Sequence, residues 1–298
     1  NVDARGLILN NSSKIVLTQL GGYIDGNGNL RTTGPAGLII NEVVGTNPST
    51  LAGYIEIAGT PAQLVLANAN GITCKGCGFL NTPWATLAAA NPRLNSAGGL
   101  AGFGGGTGTL LIDGAGLDAS GARLDLYARA IELNAGIWAS NVNASFGAGE
   151  TSIAGGLSDG TIVVTGQSAA APPAPMFGLD VAALGGMYAN SIRLIGTEAG
   201  LGVNVAGNLA SLEQGLSLSA DGAIIVGGTV TAKAGATINA GSTVEVGGQL
   251  YAGGPVVITS STLTGNGLIA SGGDLSLTSS SINSGATIVA GLARDGSV

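Results

Sequence analysis

The stretches GGPVVITSSTLTG (Gly253–Gly265) and GGDLSLTSSSINS (Gly272–Ser284) follow the same pattern in successive repeats. Both contain short aliphatic runs bounded by glycine, serine and threonine, which is typical of short β-strands separated by turns. A repeat of about 20 residues built from such strands indicates a solenoid, in which each repeat forms one coil. The 19-residue spacing predicts three columns of equivalent residues: Ile225, Val244, Leu263 and Ile282; Leu250, Ile269 and Ile288; and Gly235, Gly254 and Gly273.

Among solenoids, a parallel β-helix agrees best with the composition. Leucine-rich repeats have a similar length, but their leucine and asparagine consensus is missing here. Each coil of a parallel β-helix contributes two or three short strands, and equivalent residues stack about 4.8 Å apart. Such a coil has a narrow interior and tight corners, in agreement with 4% aromatic residues and 54 glycines. We therefore predict an all-β fold, a parallel β-helix.

The chain before Ala220 repeats less regularly, and two of its segments are predicted to leave the coil. The first, 94–109, contains GGLAGFGGGTG. The second, about 150–180, contains a hairpin pattern, IAGGLSDGTIVV, and the proline-rich loop AAAPPAPMFG. Because proline cannot donate a hydrogen bond to a central ladder, we expect this loop to lie outside the sheets.

The composition excludes several classes of function. The 298 residues contain no histidine, so the commonest general base and the commonest metal ligand are both missing. The net charge of −7 and the lack of a basic cluster argue against a nucleic-acid partner. No apolar run approaches the length of a membrane span. We predict no cofactor and no metal, and we expect from the start at Asn1 that the chain is a fragment.

Two cysteines, Cys74 and Cys77, form a single CxxC. Such a pair can be a redox motif, half of a zinc site or a short disulfide. Structural zinc needs four ligands, and a thioredoxin-type motif lies at the start of a helix, so neither suits CKGCGF. A disulfide that closes one turn is the preferred interpretation, and it would imply the periplasm or the cell exterior. The preceding NANGI (Asn68–Ile72) taken alone indicates an ordinary turn.

Together, these motifs resemble those of a known family. The stretch NEVVGTNPSTLAGYIEIAGTPAQLVLANANGITCKGCGFLNTP (Asn41–Pro83) is similar to the secretion domain of filamentous haemagglutinin-like exoproteins of Gram-negative two-partner secretion. That family has Asn-Pro-Asn-Gly-Ile followed by CxxC, and Ala69 replaces the proline here. The matching residues are Asn68, Asn70, Gly71 and Ile72. ALGGMYANSIRLIGTEAGLGVNVAGNL (Ala183–Leu209) resembles the haemagglutinin and contact-dependent growth inhibition members.

The resemblance implies two parts, a secretion domain over 1–209 and the start of a 19-residue repeat shaft over 210–298, in one right-handed β-helix with extra-helical hairpins. It also implies a partner, an outer-membrane transporter whose periplasmic domains recognise the unfolded chain through the asparagine motif. The chain would then cross the periplasm and fold outside, as part of a secreted or cell-surface adhesin or toxin that can meet a target-cell receptor.

The sequence leaves two other functions open. The first is an adhesin module that binds host cells or carbohydrate. The second is a polysaccharide-active enzyme, because parallel β-helices also carry such enzymes, whose sites need clustered acids. The densest acidic run is Asp113, Asp118 and Asp125, near Arg123 and Arg129. Solvated outward positions on strands explain these residues more simply, so we predict no catalytic site.

Overall fold

The structure is a computed structural model that describes residues 1–104, 106–154, 161–166, 168–169 and 173–292. Twenty-five strands join into one continuous, mainly parallel sheet that winds around the molecule. The only helix among the described residues is one turn long. The predicted all-β fold, a parallel β-helix, is therefore confirmed.

The elements up to the second excursion are β1 (Leu7–Asn11), β2 (Val16–Thr18), β3 (Gly22–Ile24), α1 (Leu30–Thr33), β4 (Leu38–Glu42), β5 (Ser49–Leu51), β6 (Tyr54–Gly59), β7 (Gln63–Ala67), β8 (Ile72–Leu80), β9 (Trp84–Ala88), β10 (Asn91–Leu94), β11 (Leu100–Gly104), β12 (Thr109–Ala128), β13 (Ala130–Leu133), β14 (Gly136–Phe146), β15 (Glu150–Ala154) and β16 (Thr161–Gly166). The later strands are β17 (Phe177–Val181), β18 (Gly186–Ala189), β19 (Ser191–Gly196), β20 (Gly202–Val205), β21 (Asn208–Ser211), β22 (Leu216–Ala220), β23 (Ile224–Val226), β24 (Thr229–Ala232), β25 (Ala236–Ala240), β26 (Thr243–Val246), β27 (Gln249–Ala252), β28 (Val256–Gly265), β29 (Leu268–Ser271), β30 (Leu275–Ser284) and β31 (Thr287–Ala290).

Each coil places one strand segment in each of three parallel rows, named here A, B and C. Row A contains β1, β6, the end of β8, the middle of β12, the start of β14, β18, β21, β24, β27, β29 and β31. Row B contains β4, β7, β9, the ends of β12 and β14, β19, β22, β25 and the starts of β28 and β30. Row C contains β5, the starts of β8 and β12, β13, β17, β20, β23, β26 and the ends of β28 and β30.

The core is a set of aliphatic ladders that run along the inside of the three rows. Alternate residues of each strand point inward, and the inward ones are almost all buried and apolar. The row C ladder shows the pattern: Ile72, Leu110, Ile131, Leu179, Val203, Ile224, Val244 and Leu263. Burial of this continuous apolar stack is the main favourable contribution to folding of such an array.

The predicted register is confirmed only for the last coils. Val244 pairs with Leu263, and Leu250 pairs with Ile269, as predicted. The prediction for Ile225 was wrong, because Val244 pairs with Ile224, one position earlier, while Ile225 pairs with Glu245. The coil that begins at Ile224 is therefore one residue longer than the predicted repeat. The extra residue lies in the corner between β25 and β26, which is longer than the equivalent corner within β28.

The glycine column was also wrong at its first position. Ala236 pairs with Val256, which again makes the step one residue longer than predicted, so Gly235 is equivalent to Pro255 and not to Gly254. Earlier coils are longer still, as the pairing of Leu194 with Leu218 shows. Coil length therefore varies at the corners, while the strands keep their register.

Both predicted excursions exist, and they meet. Each leaves the coil between row B and row C, the first after β9 and the second after β14. Strand β11 pairs with β15, so β10, β11, β15 and β16 form one antiparallel sheet. Residues 155–160 of the second hairpin and 170–172 of the proline-rich loop lie outside the described residues, and the described Pro173–Pro175 are in no strand.

The antiparallel sheet covers the outward face of row B and makes a second, small core. That core contains Val65, Ala67, Ala88, Ala90, Leu100, Phe103 and Tyr127. A third excursion, β2, β3 and α1, lies between β1 and β4. The buried carboxylate of Glu56 holds this excursion, because it accepts hydrogen bonds from the backbone N–H groups of Gln19 and Leu20.

Candidate functional site

The asparagine motif forms the corner between β7 in row B and β8 in row C, residues 68–71, named here the asparagine corner. The loop 43–48 makes the same corner in the preceding coil. In the next coil, the first excursion leaves the helix at this corner and returns to it at Thr109. The asparagine corner is thus packed between two other segments of the same side of the helix.

Asn68 is almost completely buried, with 1% of its surface exposed. Its Nδ2 donates hydrogen bonds to the Asn47 carbonyl oxygen and to Ser49 Oγ, both at 2.9 Å. Its Oδ1 accepts a hydrogen bond of 3.0 Å from the backbone N–H of Asn70. The side chain therefore joins polar groups of two coils, and its own buried amide is fully paired.

Asn70 is exposed, and it extends the same network. Its Nδ2 donates to the Gly45 carbonyl oxygen at 2.7 Å and to Asn68 Oδ1 at 2.9 Å. The two asparagines together hold the loop 43–48 against the corner above it.

Gly71 and Ile72 complete the corner. Gly71 has a φ of +119°, and a Cβ atom at this position would lie 3.0 Å from the Thr109 carbonyl oxygen, so a larger residue does not fit without a shift. The Gly71 carbonyl oxygen accepts a hydrogen bond from the Ser49 N–H at 3.0 Å. The Ile72 side chain enters the row C ladder and is buried next to Leu110. Three of the four motif residues are therefore buried, and only Asn70 faces solvent.

Cys74 and Cys77 form the predicted disulfide, with their Cα atoms 5.4 Å apart. It bridges the next corner, from row C to row A, on the inside of the coil. Both cysteines are buried, Cys74 between Leu51 and Ile112 and Cys77 beside Leu117. The disulfide thus takes the place of an aliphatic contact in the core, away from solvent and from any reacting partner.

The acidic residues considered for catalysis do not meet. Asp113 lies at the end of row C, Asp118 in row A and Asp125 in row B, so they face three different sides of the coil. Arg129 is also engaged elsewhere, since its guanidinium forms an ion pair of 2.8 Å with Glu198.

Asp125 differs from the expectation of a solvated position, because it is buried. Its carboxylate accepts hydrogen bonds from Trp84 Nε1 (2.9 Å), Arg123 Nε (2.9 Å) and Asn143 Nδ2 (2.9 Å). Burial raises the pKa of the Asp125 carboxyl, and these three donors only partly offset that effect. Residues from neighbouring coils bury the Asp125 carboxylate, and a local sequence pattern does not reveal them. This cluster holds three strands of row B together.

Sequence reasoning also missed the clamp between Arg129 and Glu198. Glu198 is buried, and its carboxylate accepts two bonds from Arg129 and one from the Ala148 N–H. The clamp fixes the base of the second excursion. Its partners are 69 residues apart, so no short motif could have revealed it.

Two features are absent from the described part of the chain. Within residues 1–104, 106–154, 161–166, 168–169 and 173–292, no three His, Cys, Asp or Glu side chains are grouped as a metal ion would require. In the same ranges, no helix has the length and apolarity needed to cross a membrane.

Comparison with known proteins gives the family. The sequence pattern of the TPS (two-partner secretion) secretion domain matches residues 1–226, and that of the haemagglutinin repeat matches residues 212–279. These two matches overlap, so the boundary between residues 209 and 210 stays a prediction.

Relatives and a solved structure agree with that assignment. Toxin CdiA of Yersinia pestis is 42% identical over 233 residues, and the tRNA nuclease CdiA of Escherichia coli strain NC101 is 44% identical over 242 residues. Each match covers 78% of this chain but only 7% of the relative. The crystal structure of a filamentous haemagglutinin secretion domain superposes with a TM-score of 0.63 and 26% identity, over 97% of this chain and 86% of that one. The chain belongs to the TPS secretion domain family.

Proposed function

We propose that this domain directs a large exoprotein to its outer-membrane transporter, and that the transporter's periplasmic domains read the asparagine motif before the chain folds. The observation that carries the proposal is the burial of Asn68, Gly71 and Ile72 in the folded domain. A partner can contact all four motif residues only in an unfolded chain. The same residues then close the corner once the chain has emerged.

Folding outside the cell would proceed coil by coil. Each new coil adds ladder hydrogen bonds and buries another layer of aliphatic side chains, as in a nearest-neighbour array. The contacts join residues far apart in sequence, such as Asn68 with Asn47 and Arg129 with Glu198. Non-local pairing of this kind is slow, which favours an unfolded chain during passage through the periplasm.

Membership of the family supports the cellular location that this proposal assumes. TPS exoproteins are secreted or cell-surface proteins of Gram-negative bacteria, and the relatives carry names of toxins and tRNA nucleases. Because the chain spans about 7% of those relatives, the rest of the whole protein would carry the toxic or adhesive activity and any target-cell receptor contact. We assign no catalysis and no cofactor to this part of the protein.

Photo-cross-linking during export tests the recognition step. A photoreactive residue at Ala69 should cross-link to the periplasmic domains of the co-expressed transporter while the chain is in transit. The same residue at Asn239, an exposed position on a regular coil, is the control and should cross-link far less.

Equal cross-linking from both sites would contradict recognition through the motif. Export after deletion of Asn68–Ile72 adds a second readout, since unchanged export would also contradict it. The folding step is tested by protease treatment of the periplasmic pool. A resistant, compact domain found there before export would overturn the proposed order of events.

A further inference from the structure

The chain contains three asparagines that are followed directly by glycine: Asn27–Gly28, Asn70–Gly71 and Asn266–Gly267. Such a pair can deamidate without an enzyme, because the backbone nitrogen of the glycine attacks Cγ of the asparagine and expels ammonia. Glycine favours this attack, since it has no Cβ atom and its backbone reaches unusual angles at little cost. In a folded protein, the reaction therefore depends on whether the glycine N–H is free and whether the backbone has room to move.

The pair in the asparagine corner is held at both reacting groups. The attacking nitrogen is engaged, because the Gly71 N–H donates a hydrogen bond of 3.0 Å to the Asn68 carbonyl oxygen. The leaving amide is also engaged, because Asn70 Nδ2 donates to the Gly45 carbonyl oxygen at 2.7 Å and to Asn68 Oδ1 at 2.9 Å. The Thr109 carbonyl oxygen limits movement of Gly71 from the other side. The fold therefore opposes attack at Asn70.

The pair at Asn266 is held at its glycine. The Asn266 side chain is exposed, but the Gly267 N–H donates a hydrogen bond of 2.9 Å to the Val246 carbonyl oxygen of the preceding coil. Gly267 also packs closely on that coil, since an added Cβ atom would overlap the Gly248 carbonyl oxygen. Exposure of the asparagine alone is therefore not enough for attack.

The pair Asn27–Gly28, between β3 and α1, has neither constraint. Gly28 is exposed, and within the ranges that the structure describes its N–H donates no hydrogen bond. A Cβ atom added to Gly28 would meet no other atom within 4 Å, so the backbone has room. The Asn27 amide is held only by one long bond, 3.4 Å from Nδ2 to the Asn10 carbonyl oxygen.

The turn also supplies a donor to the oxygen that becomes charged during the reaction. The Asn29 N–H donates a hydrogen bond of 3.1 Å to Asn27 Oδ1. Attack at Cγ places negative charge on Oδ1, and a backbone N–H already directed at that oxygen stabilises the charge. Asn27 thus combines a free nucleophile, a weakly held leaving group and a stabilised oxyanion.

We infer that Asn27 is the deamidation site of the folded domain, and that folding protects the asparagine motif from the same reaction. The Gly28 nitrogen forms a bond to Cγ of Asn27, the bond from Cγ to Nδ2 breaks, and ammonia leaves with the proton of the Gly28 nitrogen. Water then opens the five-membered imide to aspartate or isoaspartate. Water is the only other reactant, and no atom is oxidised or reduced.

The product would change the third excursion and leave the coils intact. A carboxylate at position 27 would lie two residues from Asp25 and near the Asn10 carbonyl oxygen that Nδ2 now contacts. Repulsion between these groups would weaken the attachment of the excursion to β1. The inference does not depend on the proposed export function, because it concerns the folded domain.

Mass spectrometry of the aged, purified chain tests the inference. The chain is kept folded or in denaturant, in mildly alkaline water labelled with heavy oxygen, and is then digested in ordinary water so that only earlier deamidation carries the label. Attack by a bonded N–H first requires that bond to break, so Asn27 should react at least about tenfold faster than Asn70 and Asn266 in the folded chain. In denaturant, the three asparagines should react at similar rates.

Gly28→Ala is the matched control, because the new Cβ atom has room and the φ of Gly28 is not in the left-handed region. Its thermal unfolding should be unchanged, while deamidation at Asn27 should slow several-fold. The inference is overturned if Asn70 or Asn266 reacts as fast as Asn27 in the folded chain, or if Gly28→Ala leaves the rate at Asn27 unchanged. A rate at Asn27 that is more than about tenfold lower in the folded chain than in denaturant would also overturn it.

Discussion

Two buried asparagines hold two loops of this domain by nearly the same bonds, but only one of them lies in the asparagine corner. Asn11, at the end of β1, is 2% exposed; its Nδ2 donates to the carbonyl oxygens of Ala36 and Thr60, and its Oδ1 accepts from the Ala36 N–H. Asn68 makes three comparable bonds at the asparagine corner, and its Oδ1 accepts a fourth from Asn70 Nδ2. Structural need alone therefore explains a buried asparagine, and a role in export must be shown separately.

The largest effect is expected for the two asparagines themselves. Asn68→Ala and Asn11→Ala should each lower the free energy of unfolding by about 3 kcal/mol, because each removes at least three hydrogen bonds of a buried amide, at about 1 kcal/mol for each bond. Chemical denaturation of the purified domain measures this. A loss at Asn68 far above that at Asn11 would show that the two sites are not structural equivalents.

The disulfide follows the asparagine corner along the chain, whereas the loops that Asn11 holds contain no cysteine. Replacing Cys74 and Cys77 together by alanine should cost about 2 kcal/mol, since the bond closes a very short loop in the unfolded chain. The free energy of unfolding of the wild type and of the double variant, each measured with and without a reductant, checks this value. A reductant that destabilises the double variant as well would contradict the assignment.

Asn70 should matter less than Asn68, because it is exposed. Asn70→Ala removes bonds to Gly45 and Asn68 and should lower the free energy of unfolding by about 1 kcal/mol. Asn239→Ala is the control and should leave stability unchanged. Asn239 is exposed, and its side chain has no hydrogen-bond partner within the described residues. Equal losses at Asn70 and Asn68 would contradict the difference in burial.

The smallest effect is expected at Ala69, where the family has proline. Its N–H donates no hydrogen bond within the described part of the chain, so Ala69→Pro loses none. The substitution should raise the free energy of unfolding by about 0.5 kcal/mol, because it restricts the unfolded chain. Thermal unfolding measures this gain, and a marked destabilisation would show that the backbone at Ala69 is incompatible with proline.

The sequence allowed prediction of features that repeat or lie close together along the chain. The stacked aliphatic columns after Val244 follow from the 19-residue period, and the disulfide follows from the CxxC. The Ile225 register was missed because one extra residue in the corner between β25 and β26 shifts the period without changing the local pattern.

Features that depend on distant partners were not predictable in this way. Asn11 bonds to Thr60, 49 residues away, and nothing around Asn11 marks it as buried. Asp125 looks like a solvated strand residue, but Trp84 and Asn143 from adjacent coils cover it. The position of these partners is fixed only when the coils stack, so a single strand carries no signal for them.

The central claim is that the asparagine corner serves export beyond its contribution to stability. Measuring the secreted fraction of Asn68→Ala and Asn11→Ala, each co-expressed with the transporter, tests it most directly, because each variant removes a buried amide that makes at least three hydrogen bonds. We predict that Asn68→Ala is retained in the periplasm while Asn11→Ala is secreted nearly like the wild type. Equal secretion of the two variants would contradict the claim.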